Sequence, residues 1–461
     1  MSPDQAHDHG STRRRLSPAP VLDLDPLLDD PATRIVVCCG SGGVGKTTTA
    51  AALGLRAAER GRKVVVLTID PARRLAQSMG IDSLDNTPRR VKGVEGTGEL
   101  HAMMLDMKRT FDEIVEAHAD GERADAILGN PFYQSLSAGF AGTQEYMAME
   151  KLGQLRAREE WDLIVVDTPP SRSALDFLDA PKRLGSFLDG KLIRVLLAPA
   201  KVGGRAGMKF LNVGMSMMTG ALGKLLGGQL LKDVQTFVAA MDSMFGGFRT
   251  RADATYKLLQ APGTAFLVVA APERDALREA AYFVERLAAE DMPLAGLVLN
   301  RVHGSGAAHL SAERALAAAE NLEEPGIVDQ DGGKAGLRNS PDSYDSSEPP
   351  APDPEAAARP APDAAPDPEH DAPTDADRTV DDLTASLLRL HAERMHLLSR
   401  EQRTRDRFTA LHPEVAVAEV AALPGDVHDL TGLRDIGNRL AANRPELPEV
   451  ADAGTAEASD A

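Results

Sequence analysis

One run of the 461-residue chain combines glycine, lysine and threonine at the spacing that holds a phosphate chain. The run consists of Gly40, Ser41, Gly42, Gly43, Val44, Gly45, Lys46 and Thr47, and Thr48 follows it. It matches the pattern G-x-x-x-x-G-K-S/T, in which glycines allow positive φ angles and backbone N–H groups point at the β-phosphate. Lys46 would bridge the β- and γ-phosphates, and the Thr47 hydroxyl would ligate Mg²⁺. The run therefore predicts a site for a nucleoside triphosphate with magnesium.

A carboxylate is expected to join this site from another strand. Residues 161–167 read Trp-Asp-Leu-Ile-Val-Val-Asp, so Asp167 ends a buried apolar run. Open α/β sheets bind ligands at the carboxyl ends of their strands, and phosphoryl-transfer sites need an acid there to hold the water around the metal. We expect Asp167 to fill that role. The alternative is an aspartate that only caps its strand.

The elements that must position these residues alternate along the chain. Apolar runs predict strands at residues 34–39, 63–69, 100–105, 162–166, 265–270, 294–299 and 414–420. Helical patterns separate most of them, including Lys46 to Arg60 directly after the glycine run and Val380 to about Ala410. Strands that alternate with helices pair in parallel, with helices on both faces. The prediction is an α/β fold, a doubly wound and mostly parallel sheet of the P-loop NTPase type, with a helical subdomain inserted at residues 182–260.

Composition sets the expected domain boundaries. Polar, Pro/Ala/Asp-rich or acidic segments bury too little apolar surface to offset the entropy of ordering. We therefore predict a disordered tail at residues 1–32, a disordered acidic insertion at residues 321–378 and a disordered acidic tail at residues 446–461. The P-loop domain is expected to comprise residues 33–320 and 379–445.

Charge and cysteine content exclude several functional classes. The net charge is −18, but eleven acidic residues lie in residues 341–378, and without the three predicted disordered segments the chain is nearly neutral. The excess of basic residues that is typical of nucleic-acid-binding proteins is missing, so we do not expect nucleic-acid binding. No apolar run approaches the roughly 20 residues of an integral membrane segment. The two cysteines, Cys38 and Cys39, are adjacent in the first strand. We expect buried, unreactive thiols and a cytoplasmic location, at most peripheral to a membrane.

Four motifs in the same order resemble those of the ArsA-type ATPases, which include the arsenite-pump ATPase and the targeting ATPase of tail-anchored membrane proteins. They are the glycine loop with Val-Gly-Lys-Thr-Thr, Thr68-Ile69-Asp70-Pro71-Ala72, Asp167-Thr168-Pro169-Pro170-Ser171 and Leu299-Asn300-Arg301. The resemblance covers residues 34–303 and 380–440. It implies ATP and Mg²⁺ as ligands and hydrolysis of ATP to ADP and phosphate.

The resemblance also implies roles for single residues. Asp70 corresponds to the aspartate that orients the attacking water, and with Lys46 and Asp167 it forms the expected catalytic set. Asp70 and Asp167 would both hold magnesium through its water shell. Asn300 corresponds to the asparagine that binds the adenine edge, with a turn cap as the alternative. Pro424 resembles part of the loop that closes over the base.

One departure from the family concerns catalysis. Members usually carry a lysine at the second position of the loop, where it reaches the phosphates of a dimer partner, whereas this chain has Ser41. A serine cannot neutralise the charge of the transition state. Either a homologous subunit supplies the lysine in a heterodimer, which we favour over a homodimer, or Arg73 or Arg172 replaces it. The Cys-x-x-Cys motif and the arsenite-binding cysteines of some members are also absent.

Two apolar stripes at helical spacing lie within residues 208–248. The first comprises Met208, Leu211, Met215, Met218, Leu222 and Leu225, and the second Phe237, Met241, Met244, Phe245 and Phe248. Flexible methionine side chains suit surfaces that accept varied apolar ligands, so the stripes predict a surface for a hydrophobic client protein. A helical core that uses methionine as filler is the alternative.

The sequence as a whole predicts an ATPase whose dimer closure is coupled to binding of an apolar client or partner. Because of Ser41, a catalytically weak, nucleotide-binding regulatory subunit is the first alternative. A partition or septum-positioning ATPase is the second, and the acidic C-terminus argues against it because such proteins use basic surfaces or helices.

Overall fold

The computed structural model describes residues 20–69, 73–81, 84–131, 133–134, 143–169, 247, 250–323 and 375–442. The strands are β1 Ile35–Cys39, β2 Lys63–Thr68, β3 Arg89–Arg90, β4 Glu99–Met104, β5 Leu163–Asp167, β6 Thr264–Ala270, β7 Leu294–Val302 and β8 Val417–Ala421. The helices are α1 Leu24–Asp29, α2 Lys46–Glu59, α3 Arg73–Ser78, α4 Met107–His118, α5 Gly121–Leu128, α6 Thr143–Ala157, α7 Arg274–Ala289, α8 Ala312–Glu323, α9 Asp375–Leu411 and α10 Leu430–Ala442.

The strands form one sheet in the order β3-β4-β2-β5-β1-β6-β7-β8. Neighbouring strands are parallel except β3 and β4. Strand β5 lies between β2 and β1, and Asp167 is in register with Thr68 on one side and Cys38 on the other. The carboxyl ends of these three strands therefore meet at one edge of the sheet. This topology confirms the predicted α/β fold.

Alternate residues of β1 pack into two hydrophobic cores, one on each face of the sheet. Ile35, Val37 and Cys39 belong to one core, and Val36 and Cys38 belong to the other. Every residue of β1 is buried. A parallel strand covered on both faces has no solvent side, which explains why these strands are continuously apolar instead of alternating with polar residues.

The structure corrects the expectation that residues 1–32 form a disordered tail, because residues 20–32 are folded. The Leu22 N–H donates a hydrogen bond to β8, and Leu24 and Leu28 of α1 are fully buried. The polar composition of the segment as a whole concealed these leucines, since the mean over 32 residues carries no information about a single buried turn.

Several element bounds also differ from the expectations. Strand β7 continues to Val302, three residues beyond its expected end, and α9 begins at Asp375, five residues before Val380. The antiparallel strand β3 was not predicted, because a strand of two residues cannot show a period.

The chain divides into two compact units, residues 1–306 with 398–461 and residues 307–397. The sheet and the glycine loop belong to the first unit. Most of the predicted helical subdomain lies outside the described residues, although residues 250–260 are helical. The same holds for most of the acidic insertion and for the C-terminal tail, so these boundaries stay predictions. Across the described part of the chain, we find no helix with the length and apolarity to cross a bilayer.

Candidate nucleotide-binding site

The glycine run forms the turn between β1 and α2, at the carboxyl edge of the sheet. Gly40, Gly43 and Gly45 all have positive φ angles. A Cβ atom at Gly40 would collide with the carbonyl oxygen of Val269 in β6, so only glycine allows the loop to pass this strand. Gly45 is the N-cap of α2 and has no side chain to cap the helix, which leaves the N–H groups of the first turn for an anion.

Lys46 is the first residue of α2, and its side chain is buried against its own loop. The Lys46 Nζ donates a hydrogen bond of 2.7 Å to the carbonyl oxygen of Ser41. The ammonium group is therefore held inside the curve of the loop, where phosphate oxygens can replace the Ser41 carbonyl as its acceptors. Ser41 itself is buried, whereas Gly42 and Gly43 are exposed at the tip of the loop.

Asp167 and Thr47 are joined by a direct hydrogen bond. Asp167 is fully buried, and its Oδ2 accepts hydrogen bonds from Thr47 Oγ1 at 2.7 Å and from Thr68 Oγ1 at 2.9 Å. Oxygen atoms of hydroxyl and carboxylate groups are ligands that Mg²⁺ prefers, so this pair fits a magnesium ion. The direct role of Thr47 and the water-mediated role of Asp167 stay predictions. Thr68 is a residue that sequence reasoning missed. The feature that could have identified it is a hydroxyl side chain directly after the apolar residues of β2, at the carboxyl end of the strand.

Asn300 contacts the glycine loop directly. Its Nδ2 donates a hydrogen bond of 2.8 Å to the carbonyl oxygen of Val44, and a Cβ atom at Gly45 would collide with the same amide. Arg301, the next residue, has a φ of 63°, and the pairing of β7 with β8 shifts register there. No pattern in the sequence indicated the bond to Val44. Adenine binding by Asn300 stays a prediction.

The structure describes only some of the other residues that the sequence predicts for the site. Asp70 and Arg172 lie outside the described residues, and α3 begins at Arg73. The residue before Asp70 is firmly held, because the Ile69 N–H donates to the carbonyl oxygen of Asp167 at 3.0 Å and the Ile69 carbonyl accepts from Gln144 Nε2 at 3.0 Å. This anchoring by Gln144 was not predicted.

Pro424 lies in an exposed turn three residues after the end of β8, and Thr48 lies in the first turn of α2. Because β8 neighbours β7, Pro424 follows the strand next to the one that carries Asn300. The role of Pro424 in closing over a base stays a prediction.

The two cysteines end β1 directly before the loop. Both are fully buried, as expected. Burial raises the pKa of the Cys39 thiol to about 12. Burial, together with the negative charge of Asp167, raises the pKa of the Cys38 thiol well above its usual range.

The native protein is therefore expected not to react with a thiol reagent at pH 8. A raised pKa leaves a thiol protonated as the pH rises through its ordinary range, and the thiolate is the reactive form. A colourimetric thiol assay should detect no thiols in the native chain and two after unfolding in guanidinium, since the sequence has only these two cysteines. Rapid native labelling would contradict the burial described here.

Replacing Asn300 with alanine is expected to weaken nucleotide binding about fivefold to tenfold, because a hydrogen bond to the loop contributes about 1 kcal/mol. The informative ligand is inorganic tripolyphosphate, which has no base. If Asn300 supports the loop, Asn300→Ala weakens binding of both ATP and tripolyphosphate in calorimetric titrations. An effect on ATP alone would mean that the bond to Val44 does not matter for phosphate binding.

Comparison with known proteins identifies the family. A family model described as anion-transporting ATPase matches residues 33–311, more than half of the chain. A relative named ATPase GET3 from Podospora anserina is 27% identical over 281 residues, which cover 60% of this chain and 76% of the relative. The ATPase GET3 of Malassezia globosa is 31% identical over 165 residues, 36% of this chain and 47% of the relative. That of Ajellomyces dermatitidis is 27% identical over 284 residues, 60% of this chain and 76% of the relative.

The family match spans the glycine loop, Asp167 and Asn300, the residues whose contacts are described above. The resemblance noted in the sequence is thereby confirmed. The chain belongs to the anion-transporting ATPase family, and it is an ATP-binding protein of the ArsA type.

Proposed function

We propose that this chain hydrolyses ATP with magnesium at the edge of the sheet where β1, β2 and β5 end. The observation that carries the proposal is the hydrogen bond of Thr47 to Asp167, directly beside Lys46, whose ammonium group is held inside the loop. Lys46 would neutralise the β- and γ-phosphates, while Thr47 and Asp167 would hold the metal. When bound, magnesium supplies positive charge to the phosphates. Phosphate release from ATP by the purified chain, with magnesium and with EDTA, tests this proposal.

Asp70 is proposed to orient the attacking water. Phosphoryl transfer depends mainly on positioning and on charge neutralisation, so this carboxylate needs a fixed place in the chain. The two backbone hydrogen bonds of Ile69 support such a place, since they anchor the residue that precedes it. Asp70→Asn is expected to retain ATP binding and to lose turnover.

We propose that the chain works as a dimer. The family resemblance supports a dimer, whereas the relatives give no support for a different subunit as partner. A homodimer would then lack the lysine at both loops, because each copy carries Ser41. We therefore expect such a homodimer to hydrolyse ATP slowly. Tight ATP binding with negligible turnover would support the alternative of a regulatory subunit.

Replacing Ser41 with lysine is expected to raise turnover at least about tenfold, because it restores a cation that a partner's phosphates can contact. Ser41→Met is the matched control, since methionine has similar length and no charge. Phosphate release should rise for the lysine variant only, and the rise should depend on protein concentration. If the unmodified chain is already as fast as Ser41→Lys, the idea that a cation is missing is wrong.

The proposed client is an apolar segment of another protein, such as the anchor of a tail-anchored membrane protein. The support is the methionine-rich sequence at residues 208–248, which apart from residue 247 lies outside the described residues, and the resemblance to a family that includes a tail-anchor-targeting ATPase. The chain should capture a co-expressed reporter that ends in a leucine-rich helix. The matched control is the same helix interrupted by two lysines. Equal capture of both would exclude an apolar client surface.

We propose a cytoplasmic location for this activity.

A further inference from the structure

The end of β7 departs from regular strand geometry at Arg301. Of the three described residues other than glycine that have a positive φ angle, Arg301 is the one that lies within a strand. Its left-handed conformation is unfavourable for arginine, because the Cβ atom comes too close to the following carbonyl oxygen. The register of β7 with β8 also shifts between Asn300 and Val302, so Arg301 is the extra residue of a β-bulge. Backbone strain of this kind persists only where surrounding contacts hold it.

The bulge decides which face of the sheet Asn300 occupies. Val298 belongs to the same core as Val44 of the glycine loop, and Val302 belongs to the core on the opposite face. In a regular strand, side chains two residues apart share a face, so Val298 and Val302 would lie on the same one. The extra residue allows Asn300 to reach Val44 while Val302 stays in the opposite core. Without the bulge, these two placements are incompatible.

Glu401 of α9 holds the chain directly after the bulge. Its carboxylate accepts a hydrogen bond of 3.1 Å from the backbone N–H of His303 and one of 2.5 Å from Nδ1 of the same residue. Glu401 is only 9% exposed, and a hydrogen bond shielded from water is stronger than one at the surface. The two bonds fix both the backbone and the ring of His303. The end of β7 is therefore held by α9 at the residue that follows Val302.

We propose that Glu401 is a positioning residue for the nucleotide site. Through His303 it maintains the bulge, and the bulge keeps Asn300 against the glycine loop. The inference rests on the proposed nucleotide site, and it concerns binding of the nucleotide rather than the hydrolytic step. Because Glu401 acts through Asn300, its loss should weaken nucleotide binding as much as the loss of Asn300 itself, about fivefold to tenfold.

A double-variant cycle of nucleotide affinity tests this role. Calorimetric titrations with a non-hydrolysable ATP analogue are compared for Glu401→Ala, Asn300→Ala and the double variant. Each single variant should bind about fivefold to tenfold more weakly than the unmodified chain, and the double variant should lose at most about a further twofold. Two independent roles would multiply the two losses, and that result would overturn the proposal.

Arg301→Gly provides a rescue that a merely structural role of Glu401 would not show. Glycine adopts the left-handed conformation without strain, so the bulge no longer has to be held from α9. In the Arg301→Gly background, Glu401→Ala should weaken binding by less than about twofold. If the full fivefold to tenfold loss remains in this background, Glu401 does not act by maintaining the bulge.

Arg405→Ala is the matched control. Arg405 lies four residues beyond Glu401 on α9, and its Nη1 donates a hydrogen bond of 2.6 Å to Glu419 of β8. This variant removes a contact of the same helix with the neighbouring strand, and it should leave nucleotide affinity within about twofold of the unmodified chain. A loss as large as that of Glu401→Ala would mean that any contact of α9 has this effect, which would overturn the specific role of Glu401.

Two further variants separate the contact from general stability. Glu401→Gln should bind nucleotide nearly as well as the unmodified chain, because its amide can accept from the His303 N–H and donate to Nδ1 of the other tautomer. A loss equal to that of Glu401→Ala would contradict the proposed contact. If Glu401→Ala does not fold, His303→Ala takes its place in the cycle, since the partly exposed imidazole can be removed while the backbone N–H remains.

Hydrogen exchange without nucleotide separates this inference from the proposed function. Glu401→Ala should speed exchange at least about tenfold in peptides that cover residues 300–304, and exchange should also rise in residues 40–46 as the loop loses the support of Asn300. Faster exchange at residues 300–304 alone, or none, would overturn the inference whether or not the chain binds ATP. If both segments respond and the unmodified chain releases no phosphate from ATP, the proposal of hydrolysis alone is wrong.

Discussion

Replacing Lys46 with alanine is expected to lower ATP hydrolysis at least about 100-fold. In the described residues of the glycine run, Lys46 is the one cation, and its ammonium is held 2.7 Å from the carbonyl oxygen of Ser41. Without it, the charge that develops on the transferred phosphate has no counter-charge from the loop. The fold should survive, because alanine is favourable in a helix and leaves no buried charge behind.

Steady-state phosphate release measures this effect, and calorimetric titration with a non-hydrolysable ATP analogue measures the accompanying loss of affinity. Lys92→Ala is a suitable control, since Lys92 is exposed in a loop outside the glycine run. The thermal midpoint should change little in either variant. Turnover within threefold of the unmodified chain after Lys46→Ala would show that this loop is not the hydrolytic site.

The second large effect is expected for Asp167→Asn. The substitution keeps the shape of the side chain but removes the negative charge that lies 2.7 Å from Thr47 Oγ1 and 2.9 Å from Thr68 Oγ1. Magnesium binding should weaken because a neutral amide does not attract the water shell of a divalent cation. We expect turnover to fall about 100-fold or more.

Calorimetric titration with a non-hydrolysable ATP analogue, with and without magnesium, distinguishes this role from a structural one. The unmodified chain should gain ATP affinity when magnesium is added, and Asp167→Asn should lose most of that gain. Asp162→Asn is the matched control, because Asp162 precedes the same strand at its opposite end and accepts a hydrogen bond from the backbone N–H of Lys63. If both variants respond to magnesium equally, Asp167 does not hold the metal.

Some features of the site needed only local sequence. The conformation of the glycine run could be predicted from its own residues. The loop has positive φ angles and passes close to β6, and glycine is the residue that allows both. The predicted strands followed from apolar runs of about five to seven residues, which a strand buried on both faces must have. The partial error at residues 20–32 arose where a short helix owed its order to contacts with the sheet rather than to its composition.

The amino-acid sequence alone determined the phosphate loop, the α/β class and the carboxylate at the end of a strand, since each depends on residues close together in the chain. The tertiary structure alone decided that Thr68 and Asp167 share a hydrogen bond, that Asn300 contacts Val44 and that Gln144 holds Ile69. These partners are separated by 75 to 256 residues. Such contacts result from the order in which strands join a sheet, and no local pattern of residues encodes that order.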